Sequence, residues 1–373
     1  MKIAIVSPGR FHVLDLAREL DALGHDVTFY SYVPKDRAEK FGLPRRCCNS
    51  TLLYLLAPLL FIARKGWNKP LRDWGNRQLT KAIDFWMRFL LKNCDVFISM
   101  SGICIRSALF ARKRYGAKII YERGSRHILS QKRILDALTS HSNTKVPQFN
   151  VYRELQTYEL ADYIAIPSVH VEGSFDEFAP ELKHKLFRNP YGTSLDMFTP
   201  VHSEKEYDVI TACAWGLQKG CDTLSATCRK YGFSLAHVGG IDDLDFPDEN
   251  WAKDFGFIDQ TMLKNYYAQA KVFVLASIQE GLSLVQSQAL SCGLPLVCSD
   301  RTGGADLKRL LGNAEYIYVV PHGDVDALGG AIQKALAYAE AHQGIDLLGG
   351  KRDVLSWAAY GKRYSDFLRS IMQ

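Results

Sequence analysis

The chain reads as an α/β protein made of two doubly wound parallel-sheet units, and three observations predict this. Short apolar, β-branched runs alternate with amphipathic stretches, the pattern of parallel strands covered on both faces by helices. That alternation occurs in two series, separated by RNPYGTSLDMFTPVHSEKEY (188–207), whose two prolines, glycine and mixed charge suit an interdomain linker. The length of 373 residues fits about two domains.

Taken in order, Lys2–Ser7 is a strand, Pro8-Gly9 breaks it, and Phe11–Leu23 is an amphipathic helix ended by Gly24. Strands follow at DVTFYSY (26–32), DVFIS (95–99) and AKIIYE (117–122), with a helix through Leu109 and Ala111, and a helix-rich passage then reaches Leu160. The second series runs through YDVITAC (207–213), SLAHVGG (234–240), VFVLAS (272–277) and LPLVCS (294–299), again with helical patterns between. We place the domain boundary near residue 200, giving units over 1–200 and 201–356, with a closing helix over 357–371.

Apolar residues make up 47% and charged residues 23%, enough for a sizeable core and too balanced for a disordered chain. The net charge of +6 is mild and does not by itself imply a nucleic-acid binder, so no nucleic-acid partner is expected. It is also concentrated: Arg64, Lys65, Lys69, Arg72, Arg77, Lys81, Arg88 and Lys92 face only Asp73 and Asp84 within 64–92. The apolar run just before them, Leu52–Ala63, is shorter than the roughly 20 residues a bilayer requires and is broken by Pro58. Apolar residues, Trp67, Trp74, Trp86 and these cations suit docking on an anionic membrane surface, and a core-facing helix with a solvated basic side accounts for them equally well. Nine scattered cysteines without zinc spacing, and a strand-like N-terminus, lead us to expect a cytoplasmic protein without a metal site. Asp243 and Asp245 have Asp-x-Asp form, but in the acidic run DDLDFPDEN a solvated hairpin explains them better.

The densest motif is VFVLASIQEGLSLVQSQALSCGLPLVCSD (272–300): a buried strand, a loop at Ala276–Gly281, a helix from about Leu282 to Cys292, a terminating Gly293, and Pro295 opening the next strand. Ligands of α/β sheets bind beyond the carboxyl ends of the strands, and amides of Gly281, Leu282 and Ser283 at a helix start would attract an anion. An ordinary strand-helix-strand unit with an exposed acidic cap at Glu280 fits the same residues.

With Glu280, Gly281, Leu282, Ala289, Leu290, Cys292, Gly293 and Pro295 in register, this stretch resembles the signature of retaining nucleotide-sugar glycosyltransferases of the GT-B fold, two Rossmann-like domains facing a cleft. Gln288 stands where that family carries a second Glu; an amide still exchanges hydrogen bonds with ribose hydroxyls. CAWGLQKGCDTL (213–224) is similar to the family's diphosphate loop, with Lys219 and Gly220 matching, and FGFIDQT (255–261) to its nucleobase turn. In the first domain SPGRFH (7–12) resembles the opening glycine loop, lacking the Gly-x-Gly-x-x-Gly of dinucleotide binders. YERGSRHILSQ (121–131) resembles a run of one bacterial polysaccharide-assembly branch, while 161–175 and 189–198 resemble closing segments of the acceptor domain.

The resemblance implies catalytic roles for Lys219, Glu280, His127 and Arg123. It implies donor contacts from Gly9, Gly216, Phe257, Ile258, Gly281, Leu282, Ser283, Gln288 and Gly303, and acceptor contacts from Arg10, His12, Ser101 and Glu122. The implied activity is transfer with retention from a nucleotide-diphosphate sugar to a glycan or lipid-linked acceptor in lipopolysaccharide, capsule or exopolysaccharide assembly, without metal or other cofactor. Gln288 motivates one alternative, a non-catalytic scaffold subunit of a polysaccharide-assembly complex. A sugar-nucleotide epimerase, which needs an acid/base pair in the cleft, is the other.

Overall fold

The computed structural model describes residues 1–138 and 145–373. Residues 139–144, part of the expected helix-rich passage, lie outside it. Two parallel sheets organise the chain. The first contains β1 (Lys2–Val6), β2 (Asp26–Tyr30), β3 (Cys48–Asn49), β4 (Val96–Met100), β5 (Lys118–Glu122), β6 (Tyr163–Ile166) and β7 (Leu186–Arg188), in the order β3-β2-β1-β4-β5-β6-β7. The second contains β8 (Tyr207–Ala212), β9 (Leu235–Val238), β10 (Ala252–Asp254), β11 (Ala270–Leu275), β12 (Leu296–Ser299) and β13 (Ile317–Val320), in the order β10-β9-β8-β11-β12-β13.

The central strands are buried on both faces because they are nearly all apolar: Ile3, Ile5 and Val6 of β1 and Val272, Phe273 and Val274 of β11 expose 1% or less. Chain order reverses beside β1, which pairs in parallel with β2 and β4, and beside β8, which pairs with β9 and β11. Loops leaving these strands diverge, so each sheet opens a crevice at its switch point.

After β13 the chain returns to the first domain through the helix Trp357–Ile371. Its N-cap Ser356 accepts from Ala359 N at 3.0 Å, and Trp357, Tyr360, Gly361, Tyr364, Ser365 and Leu368 form its buried stripe. It lies on the helix Phe11–Ala22, where a Cβ on Gly361 would collide with Glu19. Buried Tyr364 donates to Glu122 Oε1 at 2.6 Å, and Arg363 Nε donates to Asn189 Oδ1 at 2.8 Å.

The basic segment forms two crossing helices, Ala57–Lys65 and Lys69–Leu90, touching where Gly75 leaves no room for a Cβ beside the Ala63 backbone. Leu60, Leu79, Ile83 and Met87 enter the core, while Phe61, Trp67, Trp74, Phe85 and Phe89 are exposed. Among the described residues no helix is long and apolar enough to cross a membrane.

Candidate active site

Two loops of the second domain meet at its switch point. After β8 the chain makes a tight turn at Leu217–Lys219, and Gly220, at φ +66°, approaches so near the Ala276 carbonyl that a side chain would collide. Ile278 N donates to Gln218 O at 3.0 Å, and Gln218 Nε2 to Gln279 Oε1 at 2.8 Å. This knitting brings the Lys219 ammonium onto the Glu280 carboxylate as an ion pair. Burial disfavours the charged lysine, but Glu280 more than offsets it and holds the pKa above its ordinary value.

Asp243 accepts from Leu217 N at 2.8 Å and fills the space beside Gly216. It is a cap for the loop. No cluster that could hold a metal ion occurs among the described residues.

The helix after Glu280 starts at Leu284, later than the expected Leu282. Leu282 is buried against Gly303, and Ser283 N donates to Thr302 O at 3.3 Å, so that amide serves the fold and is not aimed at an anion. Gly281 faces the first domain, where a Cβ would overlap the Gly124 carbonyl. Ser168 Oγ donates to Gly281 O at 2.8 Å, and His170 Nε2 to Glu280 O at 3.0 Å. Asp306 Oδ2 accepts from Val169 N at 2.9 Å, and Gln279 Nε2 donates to Ser125 Oγ. The Glu280 loop is therefore clamped between the two sheets.

Beside it a cavity of about 390 Å³ lies between the domains. Arg10, His12 and Asp15 line it from the first domain, Gln260, Leu282 and Gln288 from the second, and Tyr191 and Trp357 from the connecting segments. His12 Nε2 lies 2.9 Å from Glu122 Oε2, and the His12 ring sits 4.3 Å from that of Tyr191. The Arg10 guanidinium stacks 3.6 Å from the Phe41 ring centroid. Gly9 accepts from Ser7 Oγ at 2.8 Å at the end of β1, directly before these residues. Phe257 is 88% exposed, an open aromatic face at the end of the β10 loop, while Ile258 packs on the core.

Two expected catalytic side chains are elsewhere. Arg123 donates to Glu154 Oε1 at 3.0 Å, Gln131 Oε1 at 2.6 Å and Arg126 O at 2.8 Å, so its guanidinium is spent holding its own loop. His127 is buried, its Nδ1 accepts from Leu129 N at 3.3 Å, and its ring packs on Tyr158, Phe175 and Phe178. Desolvation first, then Arg123, lowers its pKa to about 4. His127 is a neutral helix cap, and we assign neither residue to the chemistry. Ser101 and Arg123 line a separate first-domain cavity of about 620 Å³.

Sequence reasoning missed Asp15, Ser168, His170, Tyr191, Gln260 and Trp357. All but Asp15, Gln260 and Trp357 fall in the stretches 161–175 and 189–198, which carry a family resemblance but no polar motif that singles them out.

Residues 221–338 match the family described as Glycosyl transferases group 1. The O-antigen chain mannosyltransferase B of Escherichia coli is 36% identical over 88 residues, 24% of this chain and 22% of that protein. Sucrose-phosphate synthase from Thermosynechococcus elongatus superposes with a TM-score of 0.66 at 18% identity, over 100% of this chain and 99% of the other. Anabaena HepE in complex with UDP gives 0.63 at 13% identity, over 99% and 100%. Both sheets thus follow the GT-B architecture, and within the second domain residues 221–338 are similar to the group 1 glycosyl transferases.

Proposed function

We propose that the chain transfers a sugar, with retention, from a nucleotide-diphosphate sugar to a glycan or lipid-linked acceptor in bacterial cell-surface polysaccharide assembly. The observation that carries this reading is the Lys219–Glu280 pair, held at the second-domain switch point against the first domain. A diphosphate entering there competes with Glu280 for Lys219. The released carboxylate then accepts hydrogen bonds from the sugar hydroxyls, so one ion pair is exchanged for contacts to both halves of the donor.

In this reading Phe257 and Ile258 receive the nucleobase, Gln288 the ribose, and Gly9 admits backbone to the phosphates, whereas Gly216 is covered by Asp243 and Gly303 by Leu282. Arg10 and His12 present the acceptor, and Glu122, buried and bonded to His12 and Tyr364, orients the His12 ring instead of touching the acceptor as expected. The acceptor oxygen bonds to the anomeric carbon as the bond to the diphosphate oxygen breaks, and that departing oxygen takes the acceptor proton on the same face. The protein supplies orientation and stabilises the leaving charge, chiefly through Lys219. HepE, of like fold, is described with UDP, which supports a nucleoside diphosphate as the ligand class.

The exposed aromatics of Ala57–Lys65 and Lys69–Leu90, interleaved with basic side chains, support docking on the cytoplasmic face of a membrane, where a lipid-linked acceptor would be met. The test is to supply nucleotide sugars with membrane lipid extract and follow release of nucleoside diphosphate, with the product's anomeric configuration read by NMR. Retained configuration is expected. An inverted product overturns the mechanism, and no release with any donor favours the scaffold reading that Gln288 motivates. Conversion of free donor without acceptor would identify an epimerase.

A further inference from the structure

We propose that Cys213 and Cys221 form a reversible thiol-oxidation site at the two ends of the Lys219 loop, with Cys213 as the attacking thiol and Cys221 as the resolving one. Their sulfurs are 3.9 Å apart, and Cys213 alone among the nine cysteines is not buried. Cys213 directly follows β8 and Cys221 opens the helix Cys221–Tyr231.

The surroundings favour a thiolate. His237 places Nε2 2.9 Å from the Cys213 carbonyl oxygen and Nδ1 2.8 Å from Asp254 Oδ1. The Cys213 carbonyl can only accept, and the hydrogen bonds to Cys213 and Asp254 outweigh burial to raise the His237 pKa, which favours the protonated ring beside Cys213. Lys219 supplies a second positive charge that both sulfurs feel. Thr211 Oγ1 stands 3.8 Å from the Cys213 sulfur. The hydrogen bond from Cys221, and then His237, hold the Cys213 thiol well below its usual pKa, while that same bond and burial push Cys221 up. Burial, reinforced by Asp95 at Cys94 and by Asp208 at Cys228, raises both of these thiols to about 12.

The chemistry balances with a hydroperoxide as oxidant. The Cys213 thiolate attacks the terminal peroxide oxygen, the O–O bond breaks, and the departing oxygen takes a proton to leave as alcohol or water. The Cys213 sulfenic acid is then attacked by the Cys221 sulfur, the S–O bond breaks, and water leaves with the Cys221 proton. Two thiols become one disulfide, and a thiol reductant reverses it. The sulfurs must close from 3.9 Å to about 2.05 Å, and the bond would pin both ends of the loop that bears Lys219.

This chemistry stands apart from the donor reading, and its test uses no nucleotide sugar. The reduced full chain is treated with stoichiometric hydrogen peroxide, alkylated without reduction, and read by intact mass and peptide mapping. Loss of two hydrogens, a single Cys213–Cys221 link and recovery with dithiothreitol are expected. Cys221→Ser should halt at a sulfenic acid on Cys213, trapped by dimedone, and His237→Gln should slow that trapping. Dimedone labelling spread over other cysteines, or oxidation of Cys213→Ser at the wild-type rate, would overturn the proposal.

Discussion

A Cβ on Gly281 would overlap the Gly124 carbonyl across the domain boundary, although nothing in the φ of Gly281 demands glycine. Gly281→Ala should therefore part the Glu280 loop from the first domain and cost about 1–3 kcal/mol, the usual penalty of overpacking, seen as a lowered thermal midpoint. Lys219 makes the opposite kind of demand, for charge. Lys219→Ala should lower kcat roughly tenfold to a thousandfold, as loss of one preorganised donor does, and near-normal turnover would remove it from the mechanism. The Lys219 and Glu280 motifs are legible because each follows a strand that the apolar pattern already reveals. His127 and Arg123 are not: whether a His in such a run caps a helix or faces a substrate depends on Tyr158, Phe175 and Phe178, which lie 31 to 51 residues further along.

At the scale of elements, buried Asp84 of the helix Lys69–Leu90 organises its neighbour by accepting from Ile105 N at 3.0 Å and Ser107 N at 2.9 Å at the start of Arg106–Tyr115. It also pairs with Arg153 at 3.2 Å. Asp84→Ala should cost about 3–5 kcal/mol, since it strands a partly buried guanidinium as well as backbone amides, and urea unfolding would read the loss. The outer face of the same helix, with Trp67 just before it, should bind anionic vesicles, with binding weakened by salt and by Trp67→Ala with Trp86→Ala. Equal sedimentation with neutral vesicles would contradict a charged docking face. The long central strands are legible as apolar runs. The edge strands β3, β7 and β10 have two or three residues, too few for a period, and β13 is only one-quarter buried, so its pattern is faint.

Over the whole molecule, the two-sheet architecture was readable from the repeated alternation and the linker, whereas the closure of the domains was not. It depends on contacts such as Ser168 to Gly281 and Val169 to Asp306, between residues more than 100 positions apart. His170 lies on this boundary, and burial lowers its pKa to about 4, as it does that of His127. The unfolded chain gains both protons below about pH 6.5, and the folded chain does not until about pH 4. Stability should thus fall as pH drops through that window, by up to about 1.4 kcal/mol per pH unit for each histidine, and level below it. Urea midpoints of wild type and His127→Gln across pH 7 to 4 check this, the variant showing the smaller fall.

We propose a nucleotide-sugar site at Lys219 and Glu280. Its most direct test is thermal unfolding with a panel of nucleoside diphosphates and their sugars, on wild type and Glu280→Ala, since a ligand at a hundredfold its Kd adds about 2.7 kcal/mol. Stabilisation by one nucleotide family is expected, with the extra contribution of the sugar lost in Glu280→Ala. No shift with any nucleotide, or an identical sugar-dependent shift in the variant, would contradict it.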